Sequence, residues 1–147
     1  MSTGVTAPLG FRAAAVASGI KPDRLDLALL VADAACTAAG VFTTNLAKAA
    51  PVLVSREHLA GGRARAVVVN AGCANAGTGA AGLADARETA EIVADTVGCP
   101  ASEVLVASTG VIGRPLPMDR VESGIRRAAG RVAASHDGAG AARAIMT

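Results

Sequence analysis

The sequence predicts a layered domain of the α+β or α/β kind, on three observations. Residues 66–70, AVVVN, form a β-branched run typical of a strand buried on both faces. Two longer segments, near 80–97 and from Pro117 to Val132, repeat apolar residues at alternating three- and four-residue spacing. Strand-like stretches cluster in the first half and alternate with helical ones in the second, the pattern of helices layered on a sheet.

Taken in order, residues 4–13, GVTAPLGFRA, read as an extended lead-in, with Pro8 biasing Ala7 away from helix. Residues 25–32, LDLALLVA, and 38–44, AAGVFTT, read as strands, the second followed by a turn near Asn45. A third short strand is expected at 50–54, APVLV, with Ser55 capping a short helix, REHLA, that Gly61 and Gly62 stop. After AVVVN comes a glycine-rich loop, AGCANAGTG. The helix over 80–97 carries Leu83, Ala86, Ala90, Val93 and Val97 on one stripe, and Gly98 and Pro100 end it. Residues 103–108 form the next strand, which runs into Ser108-Thr109-Gly110. In the following helix Met118, Val121, Ile125, Ala128 and Val132 share a face. Asp119 and Glu122 come in its first turns and Arg126, Arg127 and Arg131 towards its end, an order that suits the helix dipole. The closing AGAARAIMT is expected to be helical to about Ile145.

The 147 residues suffice for one domain with its own core. Hydrophobic residues make up 52% and charged residues 18%, which excludes a disordered chain. A net charge of +2 and two aromatic rings, Phe11 and Phe42, argue against a nucleic-acid surface. No apolar run approaches the roughly eighteen residues of a membrane span. The start, MSTGVTAPLGFR, lacks the basic-then-apolar pattern of a secretory signal. Cys36, Cys73 and Cys99 are odd in number and widely spaced, which points to free thiols in a reducing cytoplasm.

Residues 77–82, GTGAAG, match the dinucleotide fingerprint G-x-G-x-x-G. The glycines come too long after the strand for a tight turn, and Glu103 begins the next strand instead of ending it. A close-packed loop capped by Thr78 is the better reading. His58 and His136 fall in expected surface stretches, and with acids following helix faces no metal site is visible. Asn70 and Asn75 are expected to bond turn backbone. Lys48 and Arg114 are expected to be solvated.

Function becomes legible in longer stretches. GVTAPLGFRAAAVASGIK at 4–21, AAGVFTTNLAKAAPV at 38–52, VVVNAGCANAGTG at 67–79, ASTGVIGRPLPMD at 107–119 and ARAIMT at 142–147 are collinear. Together they resemble the ornithine acetyltransferase (glutamate N-acetyltransferase) family of arginine biosynthesis, over essentially the whole chain. The resemblance implies a layered αββα sandwich and a precursor that cuts itself. The N-terminal threonine of the resulting β chain is the nucleophile, activated by its own α-amine. The acetyl group moves from N2-acetylornithine to glutamate, with acetyl-CoA as an additional donor in some members and no other cofactor. The assembly is α2β2 or larger, with no nucleic acid and no membrane.

By the same resemblance Thr109, through its hydroxyl, and Gly110, through its backbone N–H, form the oxyanion hole, and Thr147 contacts substrate. The family's nucleophile and a substrate-binding lysine lie beyond residue 147. The chain is thus expected to be the α-chain portion of one domain, completed by the β chain of the same precursor. The alternative is a catalytically inactive fragment or scaffold.

Overall fold

The computed structural model describes residues 4–147; residues 1–3, where the expected absence of a secretory signal begins, lie outside the described residues. Four strands form one sheet: β1 (Phe11–Val16), β2 (Leu27–Thr37), β3 (Arg63–Cys73) and β4 (Val104–Val111), in spatial order 1-2-3-4. β1, β2 and β3 run antiparallel in turn, whereas β3 and β4 are parallel. A parallel pair needs a long crossover, here the helix α2 (Gly79–Val97). The other helices are α1 (Ala50–His58), α3 (Met118–Val132) and α4 (Gly138–Ala144), and among the described residues no helix is long and apolar enough to cross a membrane.

The architecture is α+β, as expected. Helices α1, α2 and α3 cover one face of the sheet. Their stripes, among them Val54, Ala90, Val93, Val121 and Ile125, meet Leu27, Leu29, Val68, Val104 and Val106 from the strands. Both helices read from periodicity are present, and Gly98, in the left-handed region at φ 73°, ends α2 with its N–H on Ala94 O at 2.8 Å. On the opposite face α4 covers only β1 and β2, packing Ala141 and Ala144 on Ala13, Ala15 and Ala28. Farther along that face Val67 and Val69 of β3 and Leu105 of β4 are half-buried, and Ala107 is exposed. The described residues thus hold one sheet, with one of its faces half bare.

Expectations for three segments are corrected. APVLV at 50–54 is the start of α1 and not a strand. Pro51 sits in its first turn, where a missing N–H costs nothing, and Ala50 and Val54 turn inward. Ser55 is therefore no cap. It is buried inside α1, where its hydroxyl donates to Val106 O (2.6 Å) and accepts from Val106 N–H (2.8 Å). AAGVFTT at 38–44 has no strand structure: Val41 is fully exposed, and the segment joins no ladder, its Ala38 N–H donating to Gly62 O at 2.9 Å. The lead-in splits into a short 3-10 turn, Gly4–Thr6, and strand β1 from Phe11.

Candidate functional site

β3 and β4 stay in parallel register to their ends, pairing Asn70 with Ser108, Ala71 with Thr109 and Gly72 with Gly110. Alternation of side chains along β4 then separates the two hydroxyls. Ser108 faces the helical layer, where its hydroxyl donates to Asn70 Oδ1 at 2.5 Å, and Asn70 Nδ2 donates on to Cys73 O at 2.8 Å. Asn70 thereby has the backbone-bonding role expected of it. Thr109 lies on the opposite, half-bare face and is half-buried. No side chain among the described residues bonds its hydroxyl.

Gly110 is exposed at φ 127°. A β-carbon there would press on the Gly72 carbonyl carbon and come within 2.7 Å of Cys73 N and 2.8 Å of Gly72 Cα. Gly72 itself sits at φ 107°. Two facing glycines therefore let the strand ends approach more closely than any other residue would permit. Beyond them the chain is laced by Ala74 N–H to Val111 O (2.9 Å), Gly113 N–H to Ala76 O (2.8 Å) and the Cys73 thiol to Arg114 O (3.2 Å). Fixed backbone and a short hydroxyl at an open strand end are what preorganised anion stabilisation requires.

Thr147 is exposed and lines a cavity of about 260 Å³ with Lys21, Arg24, Leu25, Arg143 and Met146. Thr147 follows the end of α4, and Lys21 lies beside both that end and Gly72. Its Nζ donates to Met146 O at 2.5 Å, while its stem lies against Gly72. Sequence reading singled out Thr109, Gly110 and Thr147 but missed Lys21, whose place depends on a contact across 125 residues. The G-I-K wording at 19–21 was the available signal.

The other candidates have structural roles. In the glycine loop Asn75 is fully buried, and its Nδ2 bonds Gly82 O at 2.8 Å. Thr78 caps no N–H of α2; its hydroxyl donates to Asn75 Oδ1 at 2.7 Å. A β-carbon on Gly82 would reach the Thr78 side chain, so that glycine serves close packing. His58 is not a solvated surface residue: its Nδ1 sits 2.8 Å from Val104 O, which orients the ring as a donor to β4. His136 and Arg114 are exposed, and Lys48 is half-buried with its Nζ on Asn45 O at 2.8 Å. All three cysteines are free, and burial raises the Cys99 thiol above its usual range. No metal-binding cluster occurs among the described residues.

The sequence and the fold are both similar to those of known proteins. The model of the ArgJ family matches residues 12–147. The arginine biosynthesis bifunctional protein ArgJ of Dehalococcoides mccartyi is 47% identical over 97% of this chain and 35% of its own length. Its counterpart in Geobacter sulfurreducens is 57% identical over 79% of this chain and 30% of its own. The chain thus spans about a third of the length of these curated relatives. The crystal structure of ornithine acetyltransferase from Mycobacterium tuberculosis, complexed with ornithine, superposes with a TM-score of 0.95 at 49% identity, covering 99% of this chain and 80% of that one. The Bacillus halodurans ArgJ structure superposes with a TM-score of 0.91 at 39% identity, over 99% and 76%. With its motifs, its fold and these relatives in agreement, the chain belongs to the ArgJ family.

Proposed function

We propose that this chain supplies the oxyanion-stabilising part of an acetyltransferase that moves an acetyl group from N2-acetylornithine to glutamate. The observation that carries the reading is the Gly72–Gly110 pair, which holds Thr109 and Gly110 in a fixed backbone at an open strand end. The reacting hydroxyl is a threonine at the N-terminus of a β chain from the same precursor. That β chain packs over the half-bare face around Val67, Val69 and Leu105.

In the first half-reaction the threonine oxygen attacks the acetyl carbonyl and the terminal α-amine takes its proton. Negative charge develops on the carbonyl oxygen, where the Thr109 hydroxyl and Gly110 N–H donate to it. Collapse breaks the C–N bond, returns the proton to the leaving amine and frees ornithine from an acetyl-threonine ester. Glutamate's amine then attacks that ester through the same oxyanion. Acetyl-CoA can load the ester in the same way. Thr147 contributes to the substrate site. The enzyme is cytoplasmic and assembles as α2β2 or larger.

The test is Thr109→Ala in the assembled full-length enzyme. Loss of one preformed donor lowers kcat by about 10²–10³-fold with little change in substrate affinity. Unchanged turnover would remove the assignment. Mixing this chain with the remainder of the protein gives a second measurement: activity no higher than that of the remainder alone would make the chain a scaffold.

A further inference from the structure

We propose that Lys21 is a positioning residue that couples the Gly72–Gly110 strand pair to the Thr147 end of α4. The proposal rests on the function given above.

Lys21 lies in the turn between β1 and β2, and that turn is held by an unusual anchor. Asp26 is fully buried, and its carboxylate accepts N–H bonds from Ser18 (2.5 Å), Gly19 (3.0 Å) and Lys21 (2.8 Å). Its carbonyl accepts from Ala71 N–H at 2.8 Å, one residue before Gly72. The turn is thereby fastened to β3 at the point where the glycine pair begins.

From that anchor the Lys21 side chain bears on two places. Its stem covers Gly72: a β-carbon on Gly72 would come within 2.9 Å of Lys21 Cγ and equally close to Ile20 Cγ2. At the far end Nζ donates to Met146 O (2.5 Å) and Ala144 O (3.4 Å), where the chain leaves α4 toward Thr147. A cation there also suits the negative end of a helix. Capping alone, however, does not account for the stem. Arg143 already supplies a cation in the last turn of α4 and makes no comparable approach to the glycines. One side chain thus bridges a strand end that must hold its donors still and a segment that carries a candidate substrate contact. Placement errors well below a bond length matter for such donors.

The experiment uses the full-length enzyme and compares Lys21→Met, Lys21→Arg and Thr109→Ala. Lys21→Met is expected to lower kcat/KM about tenfold or more, in kcat as well as KM, per folded molecule as judged by circular dichroism and active-site titration. Lys21→Arg, which restores donors to the α4 carbonyls, is expected to recover most of kcat. Should Lys21→Met fail to fold, Lys21→Gln is read in its place, with an expected loss of about threefold or more. Parental kcat/KM in the folded Lys21 variant, while Thr109→Ala is impaired, would overturn the coupling and leave the function standing. A fall in thermal stability with unchanged kcat/KM would do the same, reducing Lys21 to a helix cap. If Thr109→Ala is itself fully active, the function falls and the coupling with it.

Discussion

Gly110→Ala puts the strand-pair argument under direct strain. The new methyl group starts from a backbone at φ 127°, a region that costs an L-residue about 1–3 kcal/mol. Its distance to Cys73 N must also grow from 2.7 Å to the 3.4 Å at which ordinary contact begins. The opposing atoms are β3 backbone and cannot rotate aside, so the strand ends must part, at about 1–3 kcal/mol for overpacking. Restricting the unfolded chain returns about 0.4–1 kcal/mol. The net expectation is a loss of about 2–5 kcal/mol in urea denaturation of the assembled protein. Because the Gly110 N–H moves with its strand, acetyl transfer should fall about 100-fold. Gly62→Ala is the matched control. Gly62 has φ 66° but no atom within 4 Å of where its methyl group would sit, so it bears backbone strain without a clash. A Gly110→Ala protein equal to Gly62→Ala in stability, and turning over at the parental rate, would show that the close approach of the two strand ends matters to neither.

Other expectations follow from the same structure. Gly130 is exposed in α3 with open space where a methyl would go, so Gly130→Ala should raise stability by about 0.5–1 kcal/mol, read from the urea midpoint. Asp26→Asn turns one acceptor oxygen into a donor facing backbone N–H groups in a buried site, and should cost about 2–4 kcal/mol by the same measurement. Glu57 is held below its ordinary value of 4.5 chiefly by the hydrogen bond from Arg87. A lowered carboxyl stabilises the fold above the unfolded value and loses that contribution as pH falls through the folded one. The stability difference between the parent and Glu57→Gln should therefore be present at neutral pH and close below about pH 4. Because burial raises the Cys99 thiol above its usual range, less of it is thiolate and it should alkylate more slowly than a free cysteine at about pH 8, measured by peptide mass after timed iodoacetamide treatment.

Elements that carry their own periodicity were legible in the sequence. Leu83 to Val97 and Met118 to Val132 declare α2 and α3 through apolar stripes that need only one partner surface, and AVVVN declares the centre of β3. APVLV misled because a short apolar run has no period to distinguish strand from helix, and the signal that did was Pro51. AAGVFTT has β-branched and aromatic residues but no neighbouring strand to pair with, and propensity alone forms no sheet. At the candidate site, Thr109 and Gly110 stood out through the wording of a long motif. The reason for Gly110 was not visible, because the atoms it would strike belong to Gly72 and Cys73 on another strand. Lys21 was hidden for a similar reason: both of its neighbours are distant in sequence.

The half-bare sheet face has a consequence for biosynthesis. Proteins emerge from the ribosome N-terminus first, at about 5–20 residues per second. In a full-length relative, of which this segment matches about a third, the helices on one side of the sheet can settle while Val67, Val69, Leu105 and the free edge of β4 still await the cover proposed above. For a delay on the order of tens of seconds the nascent chain displays apolar surface beside an unpaired strand, the combination most prone to capture by a neighbouring copy. Yield of soluble enzyme should then depend on translation speed and holdase chaperones more steeply than on the stability of the finished molecule.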